Sequence, residues 1–191
     1  MKIAAIVRMN GLISTHELNT MLDVQTESAA IARRIFTLVK QIFPKNIEIL
    51  VRKKMKLKKN NVYIVRMRED VASLLDKLKI EFEEDTFDQP DLTEVYEKDC
   101  CKRAYLRGAF IARGSINNPE TSSYHLEIFN LDLAHNHELS QLMNVYDLRA
   151  RELQRRNGYI VYMKEAEKIT EFLNIIGAHK ALFKFEDVRI V

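Results

Sequence analysis

Ile3-Ala4-Ala5-Ile6-Val7-Arg8-Met9-Asn10-Gly11 and Leu106-Arg107-Gly108-Ala109-Phe110-Ile111-Ala112-Arg113-Gly114 are two versions of one nine-residue pattern, set 103 residues apart. Each is an apolar helical stretch with small residues near its start and a glycine where the helix stops. A second pair of stretches repeats in the same order. Asn61-Val62-Tyr63-Ile64-Val65-Arg66-Met67-Arg68-Glu69 and Asn157-Gly158-Tyr159-Ile160-Val161-Tyr162-Met163-Lys164-Glu165 agree at six of nine positions. A helix follows both, with Val71, Leu74, Leu75 and Leu78 in one copy and Ile169, Phe172, Leu173 and Ile176 in the other at i, i+3, i+4, i+7. Two matched blocks in one order mean an internal duplication.

Working outward from these blocks, the first copy reads as a helix over about 2–10 and a hairpin over about 11–26. A helix over about 27–43 follows, stopped by Pro44, then a hairpin over about 47–68 turning at Asn60-Asn61 and a helix over about 69–80. The second copy gives a helix over about 99–113, strands to about 130 and a helix over about 136–146. A hairpin turning at Asn157-Gly158 comes next, then a helix over about 164–176 with Gly177 as its cap, and a strand ending at Val191. The chain is thus α+β, with two α-β-β-α-β-β-α halves at 1–80 and 99–191 joined by an acidic linker at 81–98. It opens inside a motif helix and closes on a strand, and so reads as a piece of a longer protein.

The composition, 47% hydrophobic and 30% charged over 191 residues, suits a globular protein with a proper core. No apolar run is long enough for a membrane span, and no signal peptide is legible. Cys100 and Cys101 are adjacent, which suits neither a structural disulfide nor a zinc site and reads as reduced thiols in the cytoplasm. Charge is segregated. Eight Lys/Arg stand against Glu48 alone between Ile47 and Arg68, and nine acids against Lys98 alone between Glu81 and Asp99. In the basic stretch, Arg52, Lys54, Lys56 and Lys58 alternate with apolar residues, so period-two geometry puts them on one sheet face. Arg66 and Arg68 join them from the paired strand, and Arg149, Arg151 and Arg155 alternate likewise in the second copy. Two basic rows of this kind fit the phosphates of a duplex.

The paired motif helices in their repeated setting resemble the LAGLIDADG homing-endonuclease fold. That resemblance implies saddle-shaped antiparallel sheets in two pseudo-twofold-related halves, with Ala4, Ala5, Gly108, Ala109 and Ala112 suited to close helix contact. The run Cys101–Asn117, with Pro119-Glu120 and Ser123–Ile128, is similar to the WhiA family, as are Asn157–Glu165 and Ile176-Gly177-Ala178. The resemblance implies a bacterial, nucleoid-associated DNA-binding transcription regulator of sporulation and cell division. It also implies a helix-turn-helix domain, which does not follow Val191 here. In active endonucleases the residue before each motif glycine is an acid that holds divalent metal. Here the matching residues are Asn10 and Arg113. An amide and a guanidinium offer a hard cation no anionic oxygen, and a positive charge about 4 Å from one costs about 4 kcal/mol. A guanidinium suits phosphate instead, so Arg113 is a further candidate DNA contact.

The expectation is therefore a monomeric, non-enzymatic protein binding double-stranded DNA, without metal or cofactor. Two other readings stand beside it. One is a protein-interaction module, engaging a partner in transcription or the family's helix-turn-helix domain. The other is an active endonuclease, against which Asn10 and Arg113 argue. His135 and His137 lack further ligands at metal spacing and read as solvated imidazoles. The linker reads as a solvated tether, or as an acidic competitor of DNA for the basic hairpins.

Overall fold

The structure, a computed structural model, describes residues 1–16, 19–53, 61–83, 86–87, 93–118, 120 and 123–190. The chain divides into two compact units, Ile3–Asp91 and Leu92–Val191, the second including Met1–Lys2.

The first motif forms α1 (Lys2–Asn10), buried from Ile3 through Val7 and again at Met9 and Asn10. A helix this apolar around its circumference is stable only when enclosed. Gly11 opens the hairpin β1 (Gly11–His16) and β2 (Asn19–Thr26). The next helix, α2 (Ala29–Ile42), is capped by Ser28, whose Oγ accepts the Ile31 amide at 3.3 Å. Strands β3 (Ile47–Arg52) and β4 (Val62–Met67) pair antiparallel before α3 (Val71–Leu78), whose Val71, Leu74, Leu75 and Leu78 are buried as their spacing requires. Lys54–Asn60, the tip of that hairpin, lie outside the described residues. The acidic segment contributes a two-stranded ribbon, β5 (Phe82–Glu83) and β6 (Thr86–Phe87), and the short α4 (Thr93–Glu97).

The second motif ends α5 (Asp99–Arg113), and Gly114 opens β7 (Gly114–Ile116), which pairs with β8 (Leu126–Asn130). Then come α6 (Leu133–Asn144), β9 (Arg151–Arg155), β10 (Gly158–Met163) and α7 (Ala166–Ile175). The Asp132 carboxylate caps α6 by accepting the His135 amide, as Ser28 caps α2. Gly177 takes the left-handed φ of 70° after α7, and Ala178 N–H returns to Leu173 O at 2.8 Å.

The end of the chain differs from the sequence reading. In place of a strand reaching Val191 there is a helix, α8 (His179–Ile190), packed on α7. Within this helix Phe185 is buried and Phe183 is 64% exposed. The burial that fixes this segment is one-sided: Phe185 meets the Tyr124 ring, while Glu186 Oε1 accepts the Thr170 hydroxyl at 2.6 Å.

The two sheets have the same topology, β1-β2-β4-β3 and β7-β8-β10-β9. In the first, α2 packs on β2, β3 and β4, and in the second α6 packs on β8, β9 and β10. Leu22, Val24, Val65 and Met67 are buried on the helix side of the first sheet, and Leu126, Ile128, Val161 and Met163 on that of the second. The other face of each sheet, its open face, leaves Leu12 and Leu153 exposed while Ile64 and Ile160 on it are buried. β4 and β10, the strands of the duplicated block, share one order of half-buried and buried positions. Gly158 turns the second hairpin at φ 150°, and a Cβ there would run into the Asn130 carbonyl and the Phe129 ring. Gly158→Ala should therefore cost about 2 kcal/mol, seen as a lower denaturant midpoint at unchanged m-value.

Candidate nucleic-acid interface

Period-two alternation sends Asp23, Glu48, Arg52 and Arg66 to the open face of the first sheet, and register brings them together. Asp23 lies directly opposite Arg66, which lies directly opposite Glu48. The Arg66 guanidinium grips Asp23 in a fork, Nε to Oδ1 at 2.7 Å and Nη2 to Oδ2 at 2.6 Å. Asp23 is only 7% exposed, so this pair is screened little by water. The hydrogen bond to Asp23 outweighs the opposing effect of burial and raises the Arg66 pKa. Arg68, just past β4, stands 3.7 Å from Glu48.

The second sheet repeats the arrangement with different residues. Glu127 occupies the place of Asp23, opposite Tyr162 where the first unit has Arg66. Its arginine comes from the outer strand instead. Arg155 Nη1 and Nη2 donate to the two Glu127 oxygens at 3.0 and 2.6 Å. His125 Nε2 lies 2.7 Å from Glu127 Oε2, and the His125 ring stacks on Tyr162 at 5.8 Å. The Lys164 ammonium lies over the Tyr162 ring, 5.7 Å from its centre. Burial alone would raise the Glu127 pKa, but the hydrogen bonds from His125 and Arg155 outweigh it and hold the carboxyl below its usual range.

The candidate cations therefore fall into distinct groups. Arg66, Arg68 and Arg155 are on or beside the open faces, each beside a carboxylate. Arg52 and Arg151 are on the open faces and exposed, with no hydrogen bond or ion pair among the described residues. Lys54, Lys56 and Lys58 lie outside the described residues. Arg149 does not alternate with Arg151 and Arg155 as the sequence suggests. It precedes β9 in a left-handed conformation with φ 52° and pairs with Glu165 at 3.2 Å. The turn out of α6 reverses the chain there, which breaks the strand period.

At the motif ends, Asn10 closes α1 and is buried, and Arg113 closes α5 and is half-buried. The Arg113 guanidinium sits 5.7 Å from the centre of the Phe129 ring, on the open-face side of β8. Burial lowers its pKa, though a guanidinium stays protonated at any physiological pH. Neither residue supplies a carboxylate for a divalent ion. Among the described residues, no group of three His, Cys, Asp or Glu could hold a metal. No described helix is long and apolar enough to cross a membrane.

The histidines of α6 correct another expectation. His135 is not solvated but 1% exposed, with its Nε2 2.8 Å from the Tyr105 hydroxyl, while His137 Nδ1 lies 3.0 Å from Glu152. Cys100 and Cys101 are free thiols. The residues that sequence reasoning missed are Asp23, Glu127, His125 and Tyr162. Their only signal was an acid wedged between apolar strand residues in each copy.

Lowering the Glu127 pKa in the folded state adds stability that is present above the unfolded value of about 4.3 and lost as pH falls through the folded value. Glu127→Gln should thus flatten the fall in melting temperature on acidification below about pH 4.3. Thermal melts of both proteins from neutral pH to pH 3 check this.

Comparison with known proteins agrees with this architecture. The WhiA N-terminal LAGLIDADG-like domain family matches residues 1–81, and the WhiA LAGLIDADG-like domain family matches residues 102–191. The probable cell division protein WhiA of Oceanobacillus iheyensis is 64% identical over 190 residues, and that of Bacillus subtilis 57%. All of this chain is covered in both cases, and it spans 60% of the length of each relative. Among solved structures, full-length WhiA from Thermatoga maritima aligns with TM-score 0.73 and 20% identity, over 99% of this chain and 59% of that one. The homing endonuclease I-WcaI, bound to its DNA recognition sequence, aligns with TM-score 0.62 and 14% identity over 96% of this chain and 84% of that one. These two likenesses establish the tandem LAGLIDADG-like fold. With both family domains matched in order along its length, the chain belongs to the WhiA family.

Proposed function

We propose that these two domains form the duplex-DNA-binding, catalytically silent part of a WhiA-like regulator of cell division and sporulation. The observation that carries this reading is the pair of motif ends. Asn10 and Arg113 close α1 and α5, where the family resemblance implies metal-binding acids in active endonucleases, and one solved structure of this fold is bound to its DNA recognition sequence. A cation in place of a carboxylate favours polyanion contact and disfavours phosphodiester hydrolysis. In this reading Arg52, Arg151 and Arg113 meet phosphates directly, together with Lys54, Lys56 and Lys58. Arg66 and Arg155 serve first to neutralise Asp23 and Glu127, which would otherwise repel the backbone. Strand cations of this kind hold the duplex more than they read it, so intrinsic sequence preference is low. The protein acts on the nucleoid as a monomer.

A second reading, a protein-binding face, is favoured by two exposed apolar residues on the open faces, Leu12 at 57% and Leu153 at 51%. The two readings separate on salt. About six phosphate contacts give a slope of log K against log salt near −5. Arg52→Ala with Arg151→Ala should reduce its magnitude by about 2. Supercoiled plasmid incubated with Mg²⁺ should remain uncut. Salt-independent binding would favour the protein-binding face, and specific cleavage would overturn the silent assignment.

A further inference from the structure

The outer strands β3 and β9 occupy equivalent edges, yet their helix-side residues differ in kind. Register places Ile49 of β3 opposite Val65 and Glu152 of β9 opposite Val161, so Ile49 corresponds to Glu152, and Val51 likewise to Gln154. In the second unit this edge is polar and tied down. Glu152 accepts from Asn136 Nδ2 at 3.3 Å and meets His137 Nδ1 at 3.0 Å, with Gln141 joined to His137. In the first unit the same places are apolar and uncovered. Ile49 is 38% exposed and Val51 51%, and Ile42 at the end of the helix packed on β3 is 42% exposed. Among the described residues no strand pairs with the outer side of β3, and an unpaired strand edge is a template for another chain.

The charges around this edge select what covers it. Lys45, Arg52 and Lys53 are exposed along the strand and its flanks, against Glu48, which already has Arg68 beside it, and Glu69, which accepts from Asn46 just before β3. A second copy pairing antiparallel would bring Arg52 and Lys53 of one strand toward Lys45 of the other, and like charges resist that. An acidic strand meets no such barrier. We propose that the β3 edge docks an extended, acidic segment of a partner protein, added as a fifth strand with its apolar residues on Ile42, Ile49 and Val51. Main-chain hydrogen bonds supply affinity, and the apolar and basic side chains supply selectivity.

The test is a fluorescence anisotropy titration of the chain with two labelled peptides, Glu-Val-Glu-Ile-Glu-Val-Glu and its counterpart with lysine for glutamate. The acidic peptide should bind with a Kd of order micromolar and the lysine peptide at least about tenfold more weakly. Ile49→Gln with Val51→Gln makes this edge polar like the other and should weaken the acidic peptide at least about tenfold. Duplex binding should not change, because these side chains point away from the open face, so failure here is separable from failure of the DNA reading. Lys45→Glu with Lys53→Glu, both exposed and remote from the core, should reverse the peptide preference. Absence of acidic-peptide binding, or binding indifferent to both double variants, overturns the proposal.

Discussion

Strict alternation along β4 and β10 is the constraint on which the rest of both units depends. Val65 and Met67, like Val161 and Met163, must be buried against helices, so their neighbours in sequence must face the other way. A slip of one residue would turn Val65, Met67, Val161 and Met163 away from the helices and turn Arg66 toward them. Because the register is fixed, the duplicated block delivers Arg66 and Tyr162 to equivalent points on two open faces. Each then stands opposite a carboxylate on the neighbouring inner strand. The same alternation leaves Ile49 and Val51 on the thinly covered edge of the first sheet.

What the two faces share is a solution to one electrostatic problem. A carboxylate in the middle of each sheet is costly to bury and repels a polyanion if left bare. Both units neutralise it with a forked guanidinium, but from different strands: β4 in the first unit and β9 in the second. Duplicated halves have thus kept the charge balance while changing the residue that provides it. At the motif ends the divergence runs further, since an amide closes one helix and a ring-stacked guanidinium the other. Under the proposed function these two features act together. Neutralised sheets tolerate a phosphate backbone, and Arg52, Arg151 and Arg113 attract it.

The sequence disclosed the architecture because its signals are local and repeated. Helical spacing at Val71–Leu78 and Ile169–Ile176, the cap at Gly177 and the turn at Asn157-Gly158 each depend on a few adjacent residues, and each matches the structure. What stayed hidden depends on partners distant in the chain. Nothing near Arg155 marks it as the mate of Glu127, 28 residues away, and nothing near Arg66 marks Asp23, 43 residues away. Composition counts a basic row, whereas register shows which of its members are already engaged. Arg149 deceived by spacing alone, because a left-handed turn intervenes before β9 begins. The expected strand ending at Val191 is the helix α8 instead, which buries Phe185 and leaves Phe183 exposed.

The measurement that bears most directly on this account is amide hydrogen exchange of the chain with and without a saturating DNA duplex at low salt. Open-face binding predicts added protection along Ile47–Arg52 and Arg151–Arg155, with α7 and α8 unchanged. Protection confined to α7 and α8, with both outer strands exchanging as in the free protein, would contradict it.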